Sequence, residues 1–135
     1  MHKIILVWLL AVASSNAMAE WVSIGGDGVN TSYVDTVTIQ KAGSTVQVWT
    51  LLDLKKAVKL SDGQQFLSWK TQYEFDCQLK QSRILAAAMY SENMGGGEKT
   101  NTLAFRSPKW EAVPANSNGE ILWNYTCGKQ HPKKK

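Results

Sequence analysis

Histidine and cysteine are both scarce in this sequence of 135 residues, which contains two of each. The histidines are His2 and His131, so residues 20–128 have none, and a serine–histidine catalytic arrangement cannot be built there. The cysteines, Cys77 and Cys127, form no C-x-x-C pair and have no spacing suited to a zinc site. The sequence therefore predicts a protein that is not an enzyme and that uses neither a metal nor an organic cofactor.

Long hydrophobic runs are also missing, apart from ten apolar residues at positions 4–13. Ten residues are too few to cross about 30 Å of hydrocarbon as a helix. Lys3 precedes this run, and a small-x-small motif ending at Ala19 follows it, which together are typical of a cleaved secretory signal. We predict that residues 1–19 are removed, that the mature chain starts at Glu20, and that no segment spans a membrane. An uncleaved N-terminal membrane anchor is the alternative.

An excess of positive charge is absent from the part of the chain that is predicted to fold. Residues 20–128, which we interpret as one domain, contain ten basic and eleven acidic residues, and four further lysines lie at 129–135. A protein that binds nucleic acid needs a basic folded surface, so we expect no nucleic-acid partner. The segment 129–135 is interpreted as a basic, disordered tail, with a binding arm as the alternative.

The two cysteines are expected to be in an oxidising compartment, because the predicted signal exports the chain. We expect the protein to be periplasmic, or else at the cell surface or secreted. In such compartments two cysteines usually pair, so we predict a disulfide between Cys77 and Cys127, with two free thiols as the alternative. Closing a loop of about 50 residues stabilises a fold by up to ~4 kcal/mol in the chain-entropy model.

Alternating apolar and polar residues predict a series of strands, and the strongest pattern covers residues 66–77. One face of this segment is apolar and the other is polar, so an antiparallel sheet with one solvated face is expected. A polar connection with an Asp-Gly turn is predicted at 55–65. Residues 83–90 contain three consecutive alanines, and we interpret them as a strand, with a helix as the alternative.

The C-terminal end of the domain carries the signals of a helix. Ser117 followed by Glu120 is a capping box, and Gly128 is suited to end a helix. We predict a helix over residues 117–127 that packs on the apolar face of the sheet and brings the second cysteine to the first. A final strand is the alternative.

One basic cluster and one tryptophan in residues 20–128 are candidates for contact with a partner. Lys55, Lys56 and Lys59 form the cluster, which suits an anionic or protein partner, and a solvated loop is the alternative. Trp49 lies in a predicted strand with apolar residues on both faces. That pattern indicates a dimer interface or a ligand surface, with a core position as the alternative.

Four segments combine these features: SYVDTVTIQKAGSTVQVWTLLDL, SWKTQYEFDC, LAAAMYS and ILWNYTCGK. In this order they resemble the surface-adhesin protein E family, whose members are small exported domains of Gram-negative bacteria. The resemblance covers nearly all of residues 33–129. Its most specific marks are Cys77, which ends a strand pattern, and Cys127, which follows an apolar stretch.

The resemblance implies an α+β fold, in which a single antiparallel sheet of about six strands carries a C-terminal helix tethered to its concave face by the disulfide. It also implies a non-enzymatic binding module, an adhesin that contacts host extracellular-matrix or plasma proteins, sometimes as a homodimer. Exposed basic residues contribute to adhesion in the family, and the corresponding candidates here are Lys70, Lys80 and Arg83. The alternative is a periplasmic structural or assembly protein that associates with itself or with envelope proteins.

Overall fold

The computed structural model describes residues 19–26, 28–106 and 108–130, with side chains as far as Gly128. Residues 1–18 of the predicted signal and 131–135 of the predicted tail lie outside this part of the chain. Within it the chain forms eight strands, two short 3₁₀ turns and one helix, whose last two residues belong to the segment interpreted as tail. The elements are β1 (Trp21–Gly26), β2 (Asn30–Asp35), a 3₁₀ turn (Thr36–Thr38), β3 (Gln40–Ala42), β4 (Thr45–Lys59), β5 (Gln65–Asp76), β6 (Gln81–Tyr90), a second 3₁₀ turn (Asn93–Gly95), β7 (Lys99–Ala104), β8 (Glu111–Ala112) and α1 (Asn118–Gln130).

The strands form one sheet in the order β1-β2-β4-β5-β6-β7. Every pairing along this path is antiparallel, and the short strands β3 and β8 are added beside β4 and β6. The predicted α+β fold, with about six main strands and a C-terminal helix, is therefore confirmed. Residues 83–90 lie within β6, as their interpretation as a strand required.

The central hairpin of the sheet consists of β4 and β5, and β4 is longer than the sequence predicts. It continues to Lys59, well into the segment 55–65 that was expected to be a polar connection. Val58 pairs with Phe66, which is only 4% exposed, so apolar contact maintains the strand pairing past the polar residues. The chain reverses only at residues 60–64, between the two strands.

The hydrophobic core lies between the sheet and α1. Val34, Val48 and Phe75 come from three neighbouring strands, and Leu122 comes from the helix. The three strand residues are fully buried, and Leu122 is nearly so. Burying a side chain of this size contributes roughly 1.5–3 kcal/mol, so this layer holds the helix against the sheet.

The helix begins at the Ser117 and Glu120 cap that the sequence predicts, but it continues to Gln130, past Gly128, which was expected to end it. Ser117 Oγ accepts a hydrogen bond from the Glu120 N–H at 3.1 Å, and the Glu120 carboxylate accepts one from the Asn116 N–H at 3.2 Å. The helix then carries Cys127 to Cys77, and the disulfide joins residues whose Cα atoms are 5.5 Å apart. The tether between helix and sheet is therefore present as predicted.

The face of the sheet opposite α1 is less solvated than the sequence predicts, and the expectation is wrong at Ser68 and Glu74. Ser68 is fully buried; its hydroxyl donates to the Glu92 carbonyl at 2.6 Å and accepts from the Gly95 N–H at 2.9 Å. The second 3₁₀ turn therefore covers this part of the face. Glu74 is also buried, and it forms an ion pair with Arg83.

Candidate functional site

A pocket of about 290 Å³ lies on the face of the sheet opposite α1. Trp21 of β1, Trp49 of β4 and Tyr90 of β6 line it, together with Lys70 and Ala88. Trp49 lies two residues from the β4 residue that pairs with Lys70, so both side chains are on the same face of the sheet. We call this site, defined by these five residues, the aromatic pocket.

Small side chains form the floor of the aromatic pocket. Ala88 pairs with Lys70 and Ala86 pairs with Gln72, so both alanines are on the pocket face rather than the helix face. A methyl group extends only a short distance from the sheet, whereas the surrounding walls are aromatic rings. The open volume between the walls follows from this difference in size.

Lys70 crosses the aromatic pocket and contacts both of its sides. Its amino group lies 5.7 Å from the ring centroid of Trp21 and 5.0 Å from that of Tyr90. These distances are within the range of cation–π attraction, which contributes about 0.5–1 kcal/mol at an exposed site. Among the described residues, no carboxylate forms an ion pair with Lys70. Its positive charge is therefore stabilised by contact with aromatic rings rather than by an anion.

Hydrogen bonds fix the rim of the pocket at Asp35 and Thr38. Asp35 is 5% exposed, and one of its carboxylate oxygens accepts from the Glu20 N–H at 3.1 Å and from the Val37 N–H at 3.2 Å. The Thr38 hydroxyl donates to the Asp35 carbonyl at 2.8 Å and accepts from the Trp49 N–H at 2.9 Å. The backbone that carries one aromatic wall is thus held in place by the adjoining turn.

Lys55, Lys56 and Lys59 lie together at the far end of β4, and all three are exposed. β4 pairs with β2 only as far as Leu54, so the hairpin continues beyond the end of the neighbouring strand. In the described part of the chain, their amino groups form no ion pair. We call these three residues the lysine arm.

Lys80 is engaged with the helix. Its amino group donates to Glu120 Oε2 at 2.8 Å and lies 5.4 Å from the ring centroid of Trp123. The hydrogen bond from Lys80 lowers the pKa of the Glu120 carboxyl below its ordinary value, and the bond from the Asn116 N–H lowers it further. The charge of Lys80 therefore stabilises the first turn of α1.

Arg83 is engaged with the sheet. Its Nε donates to Glu74 Oε1 at 2.7 Å, and its guanidinium carbon lies 4.3 Å from the ring centroid of Trp110. Glu74 is almost fully buried, and Arg83 is its ion-pair partner. Arg83 is thus held between a carboxylate and an aromatic ring.

The contact residues predicted from the sequence are spread over the domain and do not form a single surface. Trp49 and Lys70 belong to the aromatic pocket, the lysine arm is at the end of the central hairpin, and Lys80 and Arg83 form internal ion pairs. No pattern in the sequence assigned Trp21 or Tyr90 to a site. Only the register of the sheet, which brings residues of β1 and β6 to the same pocket, reveals their contribution.

Within residues 19–26, 28–106 and 108–130, no group of three or more histidine, cysteine, aspartate or glutamate side chains is placed to hold a metal ion. None of the helices found there has the length and apolar character needed to cross a membrane.

Comparison with protein families gives a match over most of the chain. A family model described as "Surface-adhesin protein E" matches residues 21–128. This range spans every strand and nearly all of the helix, including both disulfide cysteines. No curated protein sequence matches the chain.

Solved structures of protein E from Haemophilus influenzae are similar to this fold. One, from a non-typeable strain, has a TM-score of 0.61 at 13% identity and covers 80% of this chain and 75% of that one. A second has a TM-score of 0.59 at 14% identity, covering 77% of this chain and 82% of that one. A third, in another crystal form, has a TM-score of 0.58 at 14% identity, covering 73% and 80%. At such low identity the likeness shows a shared fold.

Proposed function

Because the chain belongs to the surface-adhesin protein E family, as its sequence segments predict, we propose that it is an exported, non-enzymatic binding module that contacts host extracellular-matrix or plasma proteins. The observation that carries this proposal is the lysine arm. Its three amino groups extend from the end of the central hairpin without an ion-pair partner in the described part of the chain. A protein with an acidic surface patch is the partner that fits this arrangement.

The geometry of the lysine arm favours a protein contact over a purely solubilising role. Lys55, Lys56 and Lys59 are concentrated within five residues at the end of the hairpin, in a domain whose other charged residues are seven basic and eleven acidic. Attraction between exposed charges extends over about 8 Å at physiological salt, so a projecting cluster reaches a partner before the rest of the surface does. Binding through the arm is therefore sensitive to salt.

The other predicted contact residues contribute less to this surface. Lys80 and Arg83 are paired with Glu120 and Glu74, so their charges are largely neutralised within the domain. Breaking either ion pair to contact a partner costs the stability that the pair provides. Lys70 lies inside the aromatic pocket, between two rings.

The test is binding of the mature protein to a panel of immobilised extracellular-matrix and plasma proteins. The variant Lys55→Ala/Lys56→Ala/Lys59→Ala is expected to bind about tenfold more weakly, since three charge contacts of roughly 0.5 kcal/mol each are lost. The matched control is Lys133→Ala/Lys134→Ala/Lys135→Ala, which removes the same charge from the predicted tail and is expected to bind normally. An equal loss in both variants assigns the effect to net charge, and no binding across the panel contradicts the adhesin role.

A second candidate function is a periplasmic structural or assembly protein that associates with itself or with envelope proteins. The observation that favours it is the outer strand β7, whose end exposes Leu103 and Phe105 by about half of their surface. An edge strand with exposed apolar residues is a site for pairing with a second chain. Trp49 favours self-association less, because it faces the aromatic pocket.

Size-exclusion chromatography with light scattering distinguishes the two candidates. A concentration-independent homodimer that becomes monomeric in Leu103→Lys, without loss of the folded signal in circular dichroism, supports association through β7. A monomer that binds the protein panel through the lysine arm supports the adhesin role instead. Labelling of intact cells, compared with periplasmic extracts, tests whether the protein lies at the surface or in the periplasm.

A further inference from the structure

The aromatic pocket lies on a different face from α1 and takes no part in the proposed contact through the lysine arm. We propose that it binds a carboxylated sugar, with the sugar ring against the aromatic walls and the carboxylate at Lys70. This proposal does not rest on the adhesin role. It rests on the walls, the floor and the charge of the pocket.

The walls of the pocket fit the apolar face of a sugar ring. Trp21 and Tyr90 stand on opposite sides of the Lys70 amino group, and Trp49 adds a third aromatic surface. Aromatic side chains combine a flat apolar body with a polar tip, which suits a ligand that has both C–H and hydroxyl groups. The volume of 290 Å³ lies close to the lower end of ligand pockets, about 300 Å³, and suits one or two sugar rings.

The charge of the pocket selects an acidic ligand over a neutral one. Lys70 and Lys99 both line it, whereas its carboxylate, Asp35, already accepts two backbone hydrogen bonds. A ligand carboxylate at the Lys70 amino group makes a charge-assisted hydrogen bond, which is about twice as strong as a neutral one. The amino group of Lys70 is available for such a bond, because its present contacts are with the faces of aromatic rings and not with an anion.

The floor of the pocket provides the space that the ring needs. Ala86 and Ala88 occupy positions on the pocket face where larger strand-forming residues would fill the volume between the walls. Filling that space is therefore a direct test. Ala86→Leu places a branched side chain beneath the ligand, and Ala86 is only half-buried, so the sheet tolerates the change better than at Ala88.

Titration followed by nuclear magnetic resonance tests the proposal with three probes: a glucuronic-acid disaccharide, sialyllactose and neutral lactose. We expect a carboxylated probe to shift the indole N–H signals of Trp21 and Trp49 in a saturable manner. The indole signals of Trp69 and Trp123 serve as internal controls, since neither residue lines the pocket. Lys70→Met is expected to weaken binding about tenfold, the equivalent of one charge-assisted hydrogen bond of about 1.4 kcal/mol.

The variants separate the pocket from the rest of the surface. Ala86→Leu is expected to abolish binding, and Lys56→Met in the lysine arm is expected to leave it unchanged. A response to the disaccharide indicates glycosaminoglycan chains as the source of the sugar, and a response to sialyllactose indicates sialylated glycoproteins. Equal binding of lactose, no binding of either acidic probe, or binding that survives both pocket variants overturns the proposal.

A different contact carries a second inference, which rests on the predicted cleavage after Ala19. The Glu20 nitrogen lies 3.1 Å from a carboxylate oxygen of Asp35, and the Glu20 carbonyl accepts from the Thr36 N–H at 3.2 Å. Cleavage turns this nitrogen into a free α-amino group, which is largely protonated near pH 7. We infer that processing converts a neutral hydrogen bond into an ion pair that fastens the start of β1 to the end of β2.

The burial of Asp35 gives this ion pair its importance. Asp35 is only 5% exposed, and a buried carboxylate is stabilised far more by a cation than by a neutral N–H. Ala19, the final residue of the predicted signal, also lines the aromatic pocket. Processing therefore fixes β1 and clears one residue from the pocket rim in the same step.

Three forms of the mature protein test this inference: one that starts at Glu20, one that starts at Glu20 and is acetylated there, and one that keeps Ala19. The free Glu20 form is expected to melt roughly 3–6 °C above the other two, which corresponds to about 1 kcal/mol. The change Asp35→Asn should remove this difference. Equal melting temperatures in the three forms overturn the ion pair, whereas a different first residue in the exported protein overturns the cleavage.

Discussion

The indole nitrogen of Trp123 donates a hydrogen bond to the carbonyl oxygen of Asp76 at 2.9 Å. Asp76 directly precedes Cys77, so α1 is tied to the end of β5 by a hydrogen bond as well as by the disulfide. The two ties act differently, since a disulfide stabilises mainly by restricting the unfolded chain and a hydrogen bond acts only in the folded state. Their contributions can therefore be measured separately.

Reduction of the disulfide is expected to destabilise the domain strongly. The bond closes a loop across a separation of 50 residues, and such a closure contributes up to about 4 kcal/mol. We expect the melting temperature in calorimetry to fall by well over 10 °C on addition of reductant. The variant Cys77→Ala/Cys127→Ala should melt near the reduced protein and should not respond to reductant.

Trp123→Phe provides the comparison for the hydrogen bond alone. It keeps an aromatic ring against the core and is expected to cost about 1–2 kcal/mol, part of it from the unpaired carbonyl. A melting temperature that is insensitive to reductant in the wild type contradicts the tether. If Trp123→Phe lowers the melting temperature as much as reduction does, the disulfide is not the stronger of the two ties.

The pair formed by Lys80 and Glu120 makes stability depend on pH in a defined direction. The pKa of Glu120 is lowered in the folded state, chiefly by the hydrogen bond from Lys80. Its contribution is therefore complete above the unfolded pKa and is lost as the pH falls through the folded pKa. Between about pH 6 and pH 3, the melting temperature of the wild type should fall more steeply than that of Glu120→Gln. Parallel curves contradict this assignment, because the other carboxyl groups are common to both proteins.

Removal of Arg83 is expected to leave a buried carboxylate without a cation. Glu74 is 7% exposed, and the side chain of Arg83 is 29% exposed. Breaking a fully buried pair costs about 3–5 kcal/mol, so we expect about 2–3 kcal/mol for Arg83→Met in this partly open site. In denaturant unfolding, the double variant Glu74→Gln/Arg83→Met should recover at least half of that loss. A double variant as unstable as Arg83→Met indicates that packing against Trp110, rather than charge, explains the effect.

Gly95 is expected to control the position of Lys70. Its φ is +73°, and a Cβ added there would lie 2.6 Å from Lys70 Cε. Gly95→Ala should therefore displace Lys70 in addition to the roughly 1 kcal/mol cost of the backbone conformation. Gly63→Ala is the matched control, because its φ is +88° and nothing lies within 4 Å of the added atom. If the two variants lose the same stability, and the nuclear magnetic resonance signals of the Trp21 and Tyr90 rings are unchanged in Gly95→Ala, this role is contradicted.

Local patterns in the sequence predicted the main strand and the C-terminal helix, whereas the number of strands followed from the family resemblance. The alternation across residues 66–77 specified a strand with one apolar face, and Ser117 with Glu120 specified the start of the helix. Both features depend on residues within a few positions of each other, which is the range over which periodicity and capping act. The disulfide was predicted from the export signal, because two cysteines in an oxidising compartment usually pair.

The aromatic pocket could not be predicted in the same way, because its parts are distant in the sequence. Trp21 of β1 and Tyr90 of β6 reach the same pocket across three intervening strands, with register shifts in the β1–β2, β4–β5 and β5–β6 pairings. The burial of Ser68 also depends on a turn that lies more than twenty residues later. Periodicity specifies which face a side chain takes, but only the tertiary register specifies what covers that face.

The position of the disulfide has a mechanical consequence for the chain when its ends are placed under tension. The bond between Cys77 and Cys127 excludes the 49 residues between them, positions 78–126, from the path along which tension travels between the chain ends. Pulling can lengthen only the segments before and after this covalent loop. The strands β6, β7 and β8 therefore cannot be drawn out by force, and the maximum extension of the protein under load is set by β1 to β5 and the final residues alone.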